Sequence, residues 1–279
     1  MTDLEKNLKP ITKWVGGKRQ LLPELHKYMP TSYNNYFEPF VGGGAMLFSI
    51  KPLNATINDF NSDLINLYAN VRDNPQRLLE LLENHKRLNS KEYYLEVRNM
   101  DRNGKINELS SVEKAARILY MLKVDFNGMY RVNRKNQFNV PYGRYKNPKI
   151  ADYETINAAS KYFKEANVTF LNGDFQEAVQ SAVKDDFIYF DPPYVPVNST
   201  SNFTSYTSEG FDIADQKRLK HVFDSLSNDG VKVMLSNSDV DIIHELYHEY
   251  NIHLVQAKRH INSDSSKRGK VGEVIITNY

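Results

Sequence analysis

The chain has 279 residues, of which 41% are hydrophobic and 25% charged, and its formal net charge is +2. These values are ordinary for a globular protein, and no apolar stretch is long enough to cross a bilayer, so we expect no membrane association. The first ten residues lack the apolar core of a secretory signal, and the chain contains no cysteine. We therefore expect a cytoplasmic protein without disulfides, thiolate metal sites or a cysteine nucleophile.

Short apolar segments alternate with helical patterns along most of the chain. The predicted strands are Tyr36–Phe40, Ala55–Asn58, Val168–Leu171, Phe187–Phe190, Val231–Leu235, His253–Ala257 and Val274–Thr277. Predicted helices between them are Lys18–Tyr28, Ala45–Ile50, Gln176–Ala182, Ile213–Leu226 and Asp239–Tyr250. This alternation predicts an α/β fold with a mostly parallel sheet covered on both faces. The last two strands have no helix between them, so we expect an antiparallel hairpin at one edge.

The segment 62–145 interrupts the alternation. Its helical patterns are Asp63–Val71, Pro75–Arg87, Lys91–Asp101 and Ser111–Asp125, and an irregular stretch rich in Asn, Gly and Tyr follows them. We predict that 62–145 is an inserted, mainly helical subdomain, and that 1–61 and 146–279 together form the other domain.

The far end of this insert is basic and aromatic. Between Arg117 and Lys149 the only acid is Asp125, and the eight basic residues are Arg117, Lys123, Arg131, Arg134, Lys135, Arg144, Lys146 and Lys149. Six aromatic residues alternate with them. Basic groups can neutralise phosphates while flat rings stack on bases, which favours a nucleic acid partner. The alternative is a solvated basic face. A second basic run, at 258–260 and 267–270, points the same way.

Glycines and acidic residues follow the predicted strands. Three glycines at 42–44 form a turn where a nucleotide-like ligand can approach the backbone closely, although Leu47 breaks the G-x-G-x-x-G pattern. Asp59 lies 17 residues after Gly42, near the spacing at which such folds hold a ribose. Asp174 and Asp191 follow the third and fourth strands. Each acid alone could be a helix cap, but together they predict a ligand site at the carboxyl edge of the sheet.

The tetrapeptide Asp191-Pro192-Pro193-Tyr194 follows the apolar run 187–190. It combines a carboxylate, backbone carbonyls and a flat ring, which suits the binding of the amino group of a planar base. The alternative is a loop that simply ends the strand.

Two other patterns are weaker. The Gly-Gly-Lys of 16–18 is not a phosphate loop, because Thr12 occupies the first glycine position and Arg19 the Ser/Thr position. His244, Glu245 and His248 match H-E-x-x-H, the signature of zinc peptidases. No convincing third ligand follows at the expected spacing, so we expect no metal.

In chain order the sequence contains KWVGGKRQLLP, YFEPFVGGGA, INDFNSDLI, FNGMYRVNRKNQFNVPYGRYKNP, NGDF, YFDPPYVP, SNFTSYTSEGF and LSNS. This series resembles the Dam and DpnM family of DNA adenine-N6 methyltransferases, and especially its DpnM branch, from about Lys9 to the C-terminus. The resemblance implies a Rossmann-like methyltransferase sheet with an inserted helical DNA-recognition subdomain. It also implies S-adenosylmethionine as cofactor and double-stranded DNA containing GATC as substrate, without an obligatory protein partner.

The resemblance further implies roles for individual residues. The cofactor would contact Trp14, Lys18, Pro39, Phe40, Gly42, Asp59, Asp174, Phe175 and Asp191. Asp191, Pro192 and Tyr194 would hold a flipped-out adenine. DNA would contact Phe126, Asn127, Arg131, Asn133, Pro141 and Arg144, with Phe126 standing where relatives carry a Tyr wedge. Arg131 is the first candidate for reading guanine, since an Arg–guanine pair is bidentate. Methylation of cytosine N4 and a catalytically silent DNA-binding module are the alternatives.

Overall fold

The computed structural model describes residues 8–196, 210–258 and 270–279. Its strands are β1 Tyr36–Glu38, β2 Asn54–Asp59, β3 Asn167–Asn172, β4 Phe187–Phe190, β5 Lys232–Ser238, β6 Asn251–Lys258 and β7 Lys270–Thr277. They form one sheet in the order β3-β2-β1-β4-β5-β7-β6. The strands β1 to β5 pair in parallel, whereas β7 is antiparallel to both β5 and β6. The predicted mostly parallel α/β sheet with an antiparallel edge hairpin is confirmed.

The helices are α1 Leu22–Lys27, α2 Ala45–Ile50, α3 Ser62–Asp73, α4 Pro75–Leu88, α5 Lys91–Asn99, α6 Ser111–Val124, α7 Tyr153–Glu165, α8 Phe175–Ala178, α9 Ile213–Asn228 and α10 Asp241–Leu246. Short 3₁₀ turns lie at Lys105–Glu108 and Phe126–Gly128. Helix α1 is shorter than predicted, because Pro23 is tolerated only in a first turn and the helix therefore begins at Leu22. Helices α8 and α10 are also shorter than predicted.

Helix α7 was not predicted. It begins after Asp152, whose side chain accepts a hydrogen bond from Thr155 N, and it buries Ile156, Ala159 and Phe163. These two signals, an N-cap acid and an apolar residue at every third or fourth position, are present in the sequence. Helix α7 packs against α3, α4 and β3.

Strand β4 passes through the middle of the sheet and separates two hydrophobic cores. Phe187 and Tyr189 belong to one core, and Ile188 and Phe190 to the other, as the alternation of side chains along a strand requires. All four residues are buried. Asp191 is therefore the first residue of this segment at which the chain reaches the carboxyl edge of the sheet.

The helices of the predicted insert share the first of these cores with the sheet. Helix α3 packs against α6 as well as against β2 and β3. The core accordingly runs from the sheet into segment 62–145, and the boundaries between the two domains remain predictions. Within the described residues, no helix is long and apolar enough to span a bilayer.

Candidate active site

Asp191 lies at the carboxyl end of β4 and is held by two donors. Its Oδ1 is 2.9 Å from Lys18 Nζ and accepts a 3.0 Å hydrogen bond from Ser236 Oγ on β5. Only 17% of its side chain is exposed. Burial raises the pKa of Asp191 above the usual value, and the Lys18 ammonium and the Ser236 hydroxyl oppose that rise.

Lys18 joins Asp191 to Tyr194. Its ammonium lies 4.2 Å from the centroid of the Tyr194 ring and donates to the carbonyl of Gly16 at 2.7 Å. The hydroxyl of Tyr194 donates to Glu273 Oε2 on β7 at 3.1 Å. The structure thus brings together the predicted catalytic residues Asp191 and Tyr194 and the predicted cofactor residue Lys18, with a cation over the ring face.

A buried pair of amides fixes the loop that contains Pro192 and Tyr194. Gln216 on α9 donates to the carbonyl of Pro193 at 2.9 Å, and Asn237 on β5 donates to Gln216 Oε1 at 3.1 Å. Asn237 Oδ1 in turn accepts from Val195 N at 3.1 Å. The sequence interpretation assigned no role to Gln216, Asn237 or Ser236, although the segment LSNS, which contains Ser236 and Asn237, carried part of the family resemblance.

Asp59 binds the glycine turn that follows β1. Its Oδ2 accepts from Gly42 N and its Oδ1 from Asn61 N, each at 2.9 Å. The carbonyl of Gly42 accepts from the Tyr68 hydroxyl at 2.7 Å. Burial raises the pKa of Asp59 to about 6, while the two backbone N–H groups act in the opposite direction. Each carboxylate oxygen keeps a second lone pair for a hydroxyl donor.

Trp14 explains why this turn consists of glycines. A Cβ atom at Gly42 would lie 2.9 Å from Trp14 Cδ1, and one at Gly43 would lie 3.1 Å from Trp14 Cβ. The φ angle of Gly42 is +46° and that of Gly44 is +68°, a region that side chains disfavour. The sequence predicts that these glycines allow a ligand to approach the backbone closely, and the structure shows that Gly42 and Gly43 also leave room for the tryptophan.

Aromatic rings and a salt bridge lie at the ends of β1 and β3. Phe40 stacks on Phe175 with ring centroids 5.3 Å apart, and the Arg218 guanidinium lies 4.3 Å from the Phe175 centroid. Arg218 Nη1 is 2.7 Å from Asp174 Oδ1. Burial alone would raise the pKa of Asp174, but Arg218 and the N–H of Gln176 lower it below the usual value. Arg218 was not among the predicted site residues.

The side chain of Asn58 connects these strand ends, because it donates to the carbonyls of Pro39 and Gly173, both at 3.0 Å. The predicted cofactor residues other than Trp14 and Lys18 therefore lie along the carboxyl ends of β1, β2, β3 and β4. Trp14 packs against Gly42, and Lys18 contacts Asp191. Asp59 and Asp174 offer acceptors for hydroxyl and amino groups, and Phe40 offers an aromatic surface. This donor and acceptor set fits S-adenosylmethionine, whose ribose and adenine need such partners.

The two histidines of the H-E-x-x-H pattern contact other groups of the protein. His244 Nε2 is 2.7 Å from Asp239 Oδ1, and His248 Nδ1 is 2.9 Å from the carbonyl of Glu245. Across 8–196, 210–258 and 270–279, no cluster of three or more His, Cys, Asp or Glu side chains could hold a metal.

The predicted DNA-binding residues lie on an irregular segment, 126–145, that follows α6. Exposed members are Phe126, Asn127, Arg131, Pro141 and Arg144. The carbonyl of Pro141 accepts from Phe126 N at 2.9 Å, which brings the two ends of the segment together. Arg131 Nε donates to Asn139 Oδ1 at 2.7 Å. Asn133 is partly buried, and its Oδ1 accepts from the N–H groups of Lys135 and Gln137.

Two of the eight basic residues are not available to a partner on the surface. Arg117 is 4% exposed and its guanidinium is 3.3 Å from the Asp101 carboxylate. Lys123 donates to the carbonyl of Ile11 at 2.7 Å, and burial lowers its pKa to about 8. The other six basic residues are exposed. Most of the second basic run, 259–269, and the motif residues 201–209 lie outside the described residues.

Buried groups anchor this segment to the rest of the protein. The hydroxyl of Tyr94 donates to the carbonyl of Val140 at 2.8 Å. The hydroxyl of Tyr130 donates to Asp63 at 3.1 Å, and its ring stacks on Trp14 at 5.2 Å. The segment 126–145, which is the predicted recognition segment, is therefore in direct contact with Trp14, the residue that packs against the glycine turn.

Comparison with known families identifies the family of the protein. The family described as D12 class N6 adenine-specific DNA methyltransferase matches residues 14–261. The chain belongs to this family. It is a DNA methyltransferase that acts on adenine N6, with DNA as substrate and S-adenosylmethionine as methyl donor. The family assignment favours adenine over cytosine N4, and the Rossmann-like methyltransferase fold inferred from the sequence is confirmed.

Relatives of this methyltransferase match it over nearly their whole length. The type II methyltransferase M1.LlaDCHI of Lactococcus lactis subsp. cremoris is 58% identical, over 98% of this chain and 96% of the relative. The type II methyltransferase M.MjaIII of Methanocaldococcus jannaschii is 42% identical, over 98% and 99%. The DNA adenine methylase of Vibrio cholerae O395 is 32% identical, over 97% and 96%.

Proposed function

We propose that this methyltransferase modifies the adenine of GATC in duplex DNA after rotating that adenine out of the helix. The observation that carries the proposal is the cluster of Asp191, Lys18 and Tyr194 at the end of β4, next to the carbonyls of the Pro-Pro loop. The choice of GATC is supported by the resemblance of segment 126–145 to the Dam and DpnM enzymes.

Asp191 and Pro192 are proposed to prepare the amine for attack. An adenine amine is a poor nucleophile because its lone pair is delocalised into the ring. When the Asp191 carboxylate and the Pro192 carbonyl accept its two hydrogens, a pyramidal nitrogen with a localised lone pair is favoured. The same acceptors stabilise the positive charge that develops during attack, so Asp191 need not remove a proton first. S-adenosylmethionine supplies a methyl group that its sulfonium makes electrophilic.

The position of Lys18 supports this charge argument. Its ammonium makes the contacts expected for the charged amine, a carboxylate at 2.9 Å and an aromatic face at 4.2 Å. A pocket that holds a lysine cation in this way is complementary to a cation formed by the substrate. We propose that Lys18 moves off the face of the Tyr194 ring, while it keeps its contact with Asp191 Oδ1, when adenine enters and stacks there.

Rotation of the adenine is required because its amine is inaccessible inside a stacked duplex, and extrusion costs a few kcal/mol. Phe126, with 53% of its surface exposed at the end of α6, is proposed to enter the duplex and replace the lost stacking. Arg131 is proposed to read a guanine of the site, and the exposed basic residues around it to contact phosphates.

The test is methyl transfer from labelled S-adenosylmethionine to a duplex with one GATC, compared with a duplex in which one base pair of that site is changed. We expect label only on the intact site, recovered as N6-methyladenine after digestion to nucleosides. Equal label on both duplexes would refute GATC specificity. Extrusion is tested separately with 2-aminopurine at the target position, whose fluorescence should rise on binding. Unchanged fluorescence would refute the rotation of the base.

A further inference from the structure

Two buried side chains, Tyr189 and Ser236, form a hydrogen-bonded chain that ends at the Asp191 carboxylate. The hydroxyl of Tyr189 on β4 is 2.9 Å from Ser236 Oγ on β5, and Ser236 Oγ donates to Asp191 Oδ1 at 3.0 Å. Ser236 is 0% and Tyr189 1% exposed. Neither side chain can therefore touch DNA or solvent, yet both hydroxyls belong to the network of the active site.

This arrangement distinguishes the two oxygens of Asp191. Oδ1 receives both the Ser236 hydroxyl and the Lys18 ammonium. A carboxylate oxygen has two lone pairs, so these two donors meet its hydrogen-bonding capacity. An incoming amine is then directed to Oδ2.

A second group, the hydroxyl of Tyr189, can orient the hydroxyl of Ser236 toward Asp191. A serine hydroxyl rotates freely about its Cβ–Oγ bond and can donate one hydrogen. When Tyr189 donates to Ser236 Oγ, the hydrogen of Ser236 remains available for Asp191. The register of the sheet sets this geometry, since Phe187 to Phe190 of β4 pair with Lys232 to Leu235 of β5 in parallel.

We infer that Ser236, oriented by Tyr189, is a positioning residue that fixes the Asp191 carboxylate with Oδ2 toward the adenine amine. This inference rests on the proposed role of Asp191. Ser236 does not touch the substrate. It acts by preventing rotation of the carboxylate, and displacement of a reacting group by about 1 Å can cost on the order of 100-fold in rate.

The test is single-turnover methyl transfer at saturating cofactor and DNA, with the two dissociation constants measured separately. We expect Ser236→Ala to lower the transfer rate about 10- to 100-fold, and Tyr189→Phe to lower it less, with both dissociation constants nearly unchanged. The matched control is Ser160→Ala, which removes another buried serine hydroxyl, on α7 and away from the site. It should leave the transfer rate unchanged.

The double variant Ser236→Ala/Tyr189→Phe separates positioning from stability. Ser236→Ala alone leaves a buried tyrosine hydroxyl without its partner, whereas removing both partners can be nearly neutral for stability. We expect the double variant to regain thermal stability while the transfer rate stays low. If the rate recovers together with stability, Ser236 is structural and the inference is wrong.

A parallel Asp191→Asn variant distinguishes failure of the inference from failure of the proposed mechanism. If Asp191→Asn abolishes transfer while Ser236→Ala transfers at the wild-type rate, only the positioning role is refuted. If Asp191→Asn retains full transfer, the proposed role of Asp191 is refuted as well.

Discussion

Asp191 and Arg131 are both expected to contact the same DNA site, but their surroundings differ. Asp191 follows a fully buried strand, is 17% exposed and receives two donors from distant parts of the chain. Arg131 is exposed on an irregular segment, and its guanidinium is held by Asn139, eight residues away. One side chain is fixed by tertiary contacts around a strand end, and the other by a neighbour in its own loop.

The difference follows from the two tasks. Stabilising a charge that develops on the adenine requires a carboxylate that is desolvated and does not reorganise during the reaction. Reading base edges requires exposed donors that project into a groove, so the Arg131 guanidinium must exchange Asn139 for a base edge when DNA arrives. Burial therefore suits the proposed catalytic residues at the end of β4. Exposure on an anchored backbone suits the predicted recognition segment, 126–145. Substitutions in the two regions should change different measured quantities.

The largest effect on the rate of methyl transfer is expected at Asp191, at the carboxyl end of β4. Asp191→Asn keeps the shape of the side chain but removes the charge that stabilises the developing cation, so transfer at saturating substrates should fall by about 100-fold or more. DNA affinity and the 2-aminopurine signal should be nearly unchanged, because the Asn side-chain oxygen can still accept a hydrogen bond from the adenine amine. Single-turnover rates and DNA titrations measure both quantities. A loss confined to DNA affinity would contradict the division between the two regions.

The next effect concerns the recognition segment. Arg131→Lys keeps the charge but loses the bidentate fork, and a bidentate pair contributes about 1–3 kcal/mol of discrimination between bases. The ratio of kcat/KM for GATC to that for a single-base variant should therefore fall by about 5- to 150-fold. The matched control is Arg134→Lys, an exposed neighbour with no predicted base contact. If Arg131→Lys weakens all sequences equally, Arg131 is a phosphate contact.

A smaller effect is expected from the pH dependence of cofactor binding. The pKa of Asp59 is raised to about 6 by burial, so its carboxylate loses its charge and acceptor strength as the pH falls through that value. Calorimetric titration between about pH 7.5 and 5 should show S-adenosylmethionine affinity falling several-fold toward acid. Asp59→Asn cannot titrate, so its affinity should be weaker at pH 7.5 but nearly independent of pH. Equal pH slopes in the two proteins would exclude Asp59 as the titrating group.

The smallest effect on methyl transfer is expected at Asp125, a buried acid that anchors the recognition segment. Asp125 is 0% exposed, and its Oδ1 accepts from Met129 N. Among the residues that the structure describes, none hydrogen-bonds to its Oδ2, and burial raises its pKa to about 8. Because the folded-state pKa lies above the unfolded value, its contribution to stability is complete below about pH 4 and is lost as the pH rises to about 8. Asp125→Asn should therefore reduce the fall in urea unfolding free energy between about pH 5 and 8.

Glu38 provides the matched comparison for Asp125. It is 2% exposed on β1, and burial raises its pKa to about 8, so its contribution to stability has the same sign. Glu38→Gln should reduce the pH slope of stability by a similar amount. The two variants should differ in DNA discrimination, which only Asp125→Asn should alter. A loss of discrimination in both would contradict the separation of the two regions.

Local patterns in the sequence predicted much of this molecule. The apolar segments predicted as strands at 187–190 and 231–235 became central strands, since burial on both faces leaves few other conformations for such segments. The order of strands and helices predicted the parallel sheet, and a parallel sheet brings the carboxyl ends of its strands to one edge. Asp59, Asp174 and Asp191 were therefore predicted to lie at one edge of the sheet, and the structure places them at the carboxyl ends of β2, β3 and β4. Their role as one ligand site stays a prediction.

Helix lengths and the basic surface were predicted less well. The helix expected from Lys18 begins at Leu22, and the helix at Tyr153–Glu165 was missed although its cap and apolar spacing were present. Arg117 and Lys123 belong to the basic cluster in sequence but are used internally. Charge along a chain does not specify on which side of a helix each charge lies relative to the core.

The sequence by itself determined the fold class and the family, and it predicted the edge of the sheet at which chemistry is proposed to occur, because hydrophobic periodicity and short motifs are local properties. Only the tertiary structure decided which side chains share the carboxylate of Asp191. Ser236 and Lys18 lie 45 and 173 residues from it along the chain, and both reach the same oxygen. Contacts of this kind depend on strand register and loop packing, which arise only when distant segments bury a common core.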